Sequence, residues 1–128
     1  MSLTFTLNGE SIVLPNASVD PTETLNDYLR TRTRFKGTKI GCGEGGCGAC
    51  AVLVSGLHGD PSAVSVNSCL FPLTRLNNCA VTTTEGLGVS KKQHHPIQRR
   101  FAEHNATQCG FCTPGMVMAT YAALHSAT

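Results

Sequence analysis

The ten residues GCGEGGCGAC, Gly41 to Cys50, constrain this chain more than any other stretch. Five of them are glycine and three are cysteine. Glycine weakens the interior of a helix or strand, so the segment reads as a loop with unusual backbone freedom. The chain holds seven cysteines: Cys42, Cys47, Cys50, Cys69, Cys79, Cys109 and Cys112. The N-terminal MSLTFTLNGESIVL has no basic region and no long apolar run, so nothing in it reads as a secretory signal. An odd number of thiols in such a chain points to metal or redox chemistry rather than a disulfide frame.

Cys42, Cys47 and Cys50 are spaced C-x4-C-x2-C, the plant-type spacing for a [2Fe–2S] cluster. Four thiolates, two ferric ions and two sulfides carry a formal charge of about −2. A loop around such an anion must turn many backbone N–H groups inward, and Gly43, Gly45, Gly46 and Gly48 supply the freedom to do so. A structural zinc site built on Cys47 and Cys50, with Cys109 and Cys112 as second pair, is the competing reading. Zinc ribbons place their pairs closer together, and zinc leaves Cys42 and the glycines unexplained. The spacing alone leaves Cys69 and Cys79 both open as fourth ligand. Cys79 would otherwise be a small buried hydrophobe.

QCGFCTPG, Gln108 to Gly115, sets Cys109 and Cys112 just before a helix start, where the helix dipole favours thiolates. A thioredoxin-like pair should follow a strand in a βαβ unit, which is not the pattern here. A half-site for a second cluster fits better.

The rest of the chain organises around these two segments. Leu3–Leu7 and Ser11–Leu14 alternate apolar and polar residues on either side of Asn8-Gly9, a hairpin signal. Asp20-Pro21-Thr22-Glu23 reads as a helix start with Asp20 as cap, followed by Leu25, Tyr28 and Leu29 on one face. Ala51–Ser55 reads as a buried strand, Ala63–Asn67 as its partner, Leu70–Leu76 as a short helix and Ala80–Thr84 as a further strand. Beyond Gly86, Pro96 and Pro114 open helices, the second carrying Val117, Tyr121 and Leu124. The expected fold is α+β: a β-grasp, ferredoxin-like unit over 1–86, then a partial helical unit over 87–128. Two helices with narrow apolar stripes make an incomplete core, so that unit should need further helices or a partner, including a second copy of this chain.

FKGTKIGCGEGGCGAC, NSCL, VTTTEGLG, HPIQRRF and QCGFCTPGM together make the chain resemble the N-terminal iron–sulfur region of the molybdenum hydroxylases, the xanthine dehydrogenase and aldehyde oxidase family. TRFKGTK, TTTEGLG and RRF most resemble the plant aldehyde oxidases. The resemblance implies one [2Fe–2S] cluster on Cys42, Cys47, Cys50 and Cys69, which favours Cys69 over Cys79. It implies a second cluster whose first two ligands are Cys109 and Cys112, with Gln108 against a molybdopterin cofactor. Electrons would pass from molybdopterin through the two clusters to FAD, with flavin and molybdopterin domains or subunits as partners. The family completes its second cluster with a C-x-C pair, and none occurs in these 128 residues. The expectation is therefore a fragment, truncated product or split piece whose molybdenum, flavin and substrate sites lie elsewhere. A non-catalytic interaction or regulatory fragment and a free-standing ferredoxin-like carrier are the alternatives.

The remaining features are quieter. A formal charge of +2 and the lack of Trp speak against nucleic-acid binding. No apolar run approaches transmembrane length, and a cytoplasmic protein is the default expectation. Arg30, Arg32, Arg34, Lys36 and Lys39 read as a solvated helix end and loop rather than a docking patch. Glu44 should turn outward or pair with a cation, and His94 and His95 read as surface residues at a helix start. No nucleophile–base pair or carboxylate dyad is present, so no catalytic residue is expected.

Overall fold

A computed structural model describes residues 1–88 and 93–126. Five strands form one mixed sheet in the order β2-β1-β5-β3-β4. They are β1 (Ser2–Leu7), β2 (Glu10–Pro15), β3 (Ala51–Ser55), β4 (Ala63–Asn67) and β5 (Ala80–Thr82). The helices are α1 (Leu25–Arg32), α2 (Pro96–Glu103) and α3 (Thr113–Ser126). This is the expected α+β, ferredoxin-like sheet followed by helices.

The hairpin forms where the alternation placed it. Leu7 pairs with Glu10 across a two-residue turn, and Asn8 and Gly9 take φ of 50° and 83°, the left-handed pair such a turn requires. Leu3, Phe5 and Leu7 are buried on one face. β5 slots between β1 and β3, parallel to the first and antiparallel to the second. It ends at Thr82 rather than Thr84, because the Asn8 side chain takes over as partner: Thr83 N donates to Asn8 Oδ1 at 2.8 Å and Asn8 Nδ2 to Thr83 Oγ1 at 2.9 Å.

α1 starts later than Asp20 and Pro21 suggest. Its cap is Thr24, whose side chain accepts from Asp27 N while Asp27 accepts from Thr24 N. Asp20 instead closes a turn on Thr22. The reason is tertiary: Thr24 is held extended in a bridge with Pro72, with Leu25 N donating to Phe71 O and Leu73 N to Glu23 O. The helix can coil only once the chain leaves that bridge. Leu25, Tyr28 and Leu29 then pack on the sheet beside Phe5, Val52 and Val54, each aliphatic side chain contributing about 1.5–3 kcal/mol. Residues 70–76 form a 3-10 turn only over Leu73–Leu76.

β3 is buried on both faces. Val52 and Val54 join the core under α1, whereas Leu53 packs with Met118 and Ala122 of α3. The second sheet face is thus covered by α3, which buries Val117, Met118 and Ala122 and leaves Leu124 54% exposed. Of the expected Val117–Tyr121–Leu124 row, Val117 is buried and Tyr121 packs against this apolar group, whereas Leu124 faces outward. α2 buries no residue fully and touches α3 through the His95 and Tyr121 rings, 5.3 Å apart. His95 lies at the helix start as expected, but half-buried and as the cap of α2, its Nδ1 accepting from Ile97 N at 3.1 Å.

Candidate metal centre

The loop Gly41–Cys50 is irregular throughout and leads directly into β3. Gly43, Gly45 and Gly48 take φ of 69°, 83° and 74°, the left-handed region that turns successive amides to one side. A Cβ at Gly45 would lie 2.7 Å from Leu70 Cδ1, but that side chain is exposed and can move aside, so it is the left-handed φ that favours glycine there. The amides of Glu44, Gly46 and Cys47 all donate to Cys42 Sγ, at 3.4, 3.2 and 3.4 Å. Ala49 N donates to Cys47 Sγ at 3.4 Å. Gly46 thus contributes its N–H without a left-handed backbone. Glu44 is exposed, and it is its amide that faces the sulfur.

Electrostatics follow from these donors. The Glu44 amide above all, then those of Cys47 and Gly46, hold the Cys42 thiol down at about 6, so it is mostly thiolate at neutral pH. Burial, and then a hydrogen bond with Cys50, push the Cys69 thiol up, and burial pushes Cys79 up. A bound metal ion deprotonates such thiols outright.

The thiols influence one another's titration: Cys47 helps lower Cys42, and Cys50 and then Cys42 add to the burial that raises Cys69. Among the described residues, no three His, Cys, Asp or Glu side chains converge on one ion. The donor set fits an anionic [2Fe–2S] group: cysteines are its usual ligands, and the amides of Glu44, Gly46 and Cys47 already point at Cys42 Sγ. Cys79 stands apart in the apolar core, beside Leu76 and Val81, with its Sγ near Arg75 O and Asn77 O.

Sequence reasoning missed the residues that carry the loop. Arg30 Nη1 donates to Lys36 O and Thr38 O at 3.1 and 2.8 Å. Asn26 Nδ2 donates to Lys39 O at 3.1 Å, and the Glu85 carboxylate accepts from Gly37 N at 2.8 Å. The basic run serves local structure: Arg32 pairs with Glu23 at 3.0 Å and Arg34 with Glu10. An unbroken polar side chain on the buried face of α1, Asn26, was the one available signal.

Cys109 and Cys112 are exposed, as is Gln108. Gly110 turns the motif with φ of 88°, and Cys112 Sγ lies 3.5 Å from Met116 Sδ. α3 then leans on the cluster loop itself. Gly115 sits so close that a Cβ would lie 2.3 Å from Gly48 O.

Two family models match the chain: a 2Fe-2S iron-sulfur cluster binding domain over residues 5–74 and a [2Fe-2S] binding domain over 83–128. The abscisic-aldehyde oxidase of Arabidopsis thaliana is 50% identical over 99% of this chain, which spans 10% of that protein. The xanthine dehydrogenase of Drosophila pseudoobscura pseudoobscura is 47% identical over 98% of this chain, here 9% of the relative. Among solved structures, quinoline 2-oxidoreductase from Pseudomonas putida 86 superposes with a TM-score of 0.84 at 35% identity, over 98% of this chain and 71% of that one. The chain belongs to the [2Fe–2S] cluster-binding family, as the iron–sulfur region of the xanthine dehydrogenase and aldehyde oxidase type. It corresponds to about a tenth of the length of those oxidases and dehydrogenases. Among the described residues no helix is long and apolar enough to cross a membrane.

Proposed function

We propose that this chain is an electron-transfer module whose cluster ligands are Cys42, Cys47, Cys50 and Cys69. The observation that carries the reading is the glycine loop's amides, those of Glu44, Gly46 and Cys47, all turned onto Cys42 Sγ. When bound, a [2Fe–2S] cluster accepts and donates one electron. The amides of Glu44, Gly46, Cys47 and Ala49 would stabilise the sulfur charge and so set the potential. Cys42 and Cys47 lie at the exposed edge of the site, where an electron partner can approach. Cys50 and Cys69 anchor its buried side.

Within a longer molybdenum- and flavin-dependent oxidoreductase, this module would relay electrons from molybdopterin to FAD. Cys109 and Cys112 would supply half the ligands of a second cluster, and Gln108 would lie toward molybdopterin. The division into a β-grasp unit, 1–86, and a helical unit, 87–128, belongs to the same proposal. Flavin- and molybdopterin-bearing domains are the expected partners.

Iron and sulfide analysis of anaerobically prepared protein tests the reading. About two irons per chain are expected, with a [2Fe–2S] EPR signal on reduction. Zinc without iron would overturn it.

A further inference from the structure

Among the described residues, four polar side chains are buried: Asn26, Thr38, Ser68 and Thr83. Asn26 and Ser68, 1% and 0% exposed, form one directed chain of hydrogen bonds. Asn26 Nδ2 donates to Lys39 O and to Ser68 Oγ, both at 3.1 Å. Ser68 Oγ in turn donates to Cys50 O at 2.6 Å. Main-chain bonds reinforce it, from Asn26 N to Ser68 O at 3.0 Å and from Ser68 N to Cys50 O at 3.4 Å. Lys39 O can only accept, so the amide must turn its nitrogen inward.

The chain ends at three places that matter for the site. Lys39 leads into the loop three residues before Cys42. Cys50 is the last thiol of the loop, and Ser68 directly precedes Cys69. We propose that Asn26 and Ser68 are positioning residues for the cluster, holding the loop entry, Cys50 and Cys69 in one register against α1. This inference rests on the cluster reading above. Burying an amide costs free energy unless its bonds are made, and a leucine at position 26 would pack without that cost. The packing of α1 is already carried by Leu25, Tyr28 and Leu29. The amide's bonds reach only segments that carry or precede ligands. Its loss therefore loosens the site more than the fold, and linked bonds of this kind act as a unit.

The test measures iron release from the cluster-loaded protein to a ferrous chelator under reducing conditions, well below the unfolding temperature. The variants are Asn26→Ala, Ser68→Ala and their double. Leu29→Ala serves as a control that destabilises the core from the same helix. Each clamp variant should release iron about ten-fold faster than wild type, and the double no faster than the faster single. Leu29→Ala should stay near the wild-type rate despite its lower melting temperature. Release from Leu29→Ala as fast as from the clamp variants, or clamp variants at the wild-type rate, would overturn the inference. If Asn26→Ala does not fold, Ser68→Ala, which removes a single oxygen, decides alone. Wild-type protein that takes up no iron removes the cluster reading itself; two irons with unmoved release rates removes only the positioning role.

Discussion

Gly115 offers the sharpest test of how the helical segment meets the cluster loop. In an open helix, Gly→Ala stabilises by about 1 kcal/mol through backbone entropy. Here the added Cβ would lie 2.3 Å from Gly48 O, 2.9 Å from Ala49 C and 3.0 Å from Ala49 Cα, all backbone atoms. Real Cβ contacts essentially never fall below 3.0 Å, so α3 or the loop must retreat by at least about 0.7 Å, the difference between 3.0 and 2.3 Å. That shift opens the contact of Met118 and Ala122 with Leu53. Overpacking of this kind costs about 1–3 kcal/mol, which exceeds the helix gain. Gly115→Ala is expected to lower stability by about 1–2 kcal/mol, or the melting temperature by roughly 5 °C for a chain of this size. Thermal unfolding by far-ultraviolet circular dichroism measures the loss, and visible circular dichroism of the cluster-loaded protein should change with it because the loop moves. An unchanged or raised melting temperature with an unchanged visible spectrum would refute the close docking of α3.

Other outcomes follow from the same contacts. In the metal-free chain, Cys42 should react with iodoacetamide with a midpoint near pH 6, while Cys69 and Cys79 stay protonated well above it; peptide mapping across pH reads this. The lowered Cys42 value means its stabilising contribution is present above the unfolded thiol range, near 8.5, and is lost as pH falls through about 6; chemical denaturation of the metal-free chain at pH 8.5 and pH 5 checks the sign. Cys69→Ser should lose the cluster, whereas Cys79→Ala should keep two irons and cost about 1 kcal/mol of core packing, as iron analysis and denaturation would show. Glu85→Ala strips Gly37 N and Thr83 Oγ1 of their acceptor and should lower stability by about 1 kcal/mol, measurable by denaturant unfolding.

Much of this was legible from local pattern. The Asn8-Gly9 turn, the alternating strands and the start of α3 at Thr113-Pro114 depend on neighbours in the chain, so residue types and periods announce them. The start of α1 was not, because the bridge between Thr24 and Pro72 joins segments far apart in sequence. His95 read as surface until Ile97 and Tyr121 gave its ring two partners.

What is legible from the sequence by itself is the loop: three thiols and five glycines within ten residues are held together by covalent connection, so their chemical character can be read before folding. Tertiary structure decided what lies across the chain. It set Cys69, not Cys79, beside Cys50, because β4 returns antiparallel along β3 and delivers residues 67–69 back to the end of the loop. It sent Cys79 into the apolar core, where burial keeps the thiol protonated. It also placed α3 on the second face of β3 and Asn26 under the loop. These contacts link residues that spacing cannot relate, and they form only once the sheet fixes which segments are neighbours.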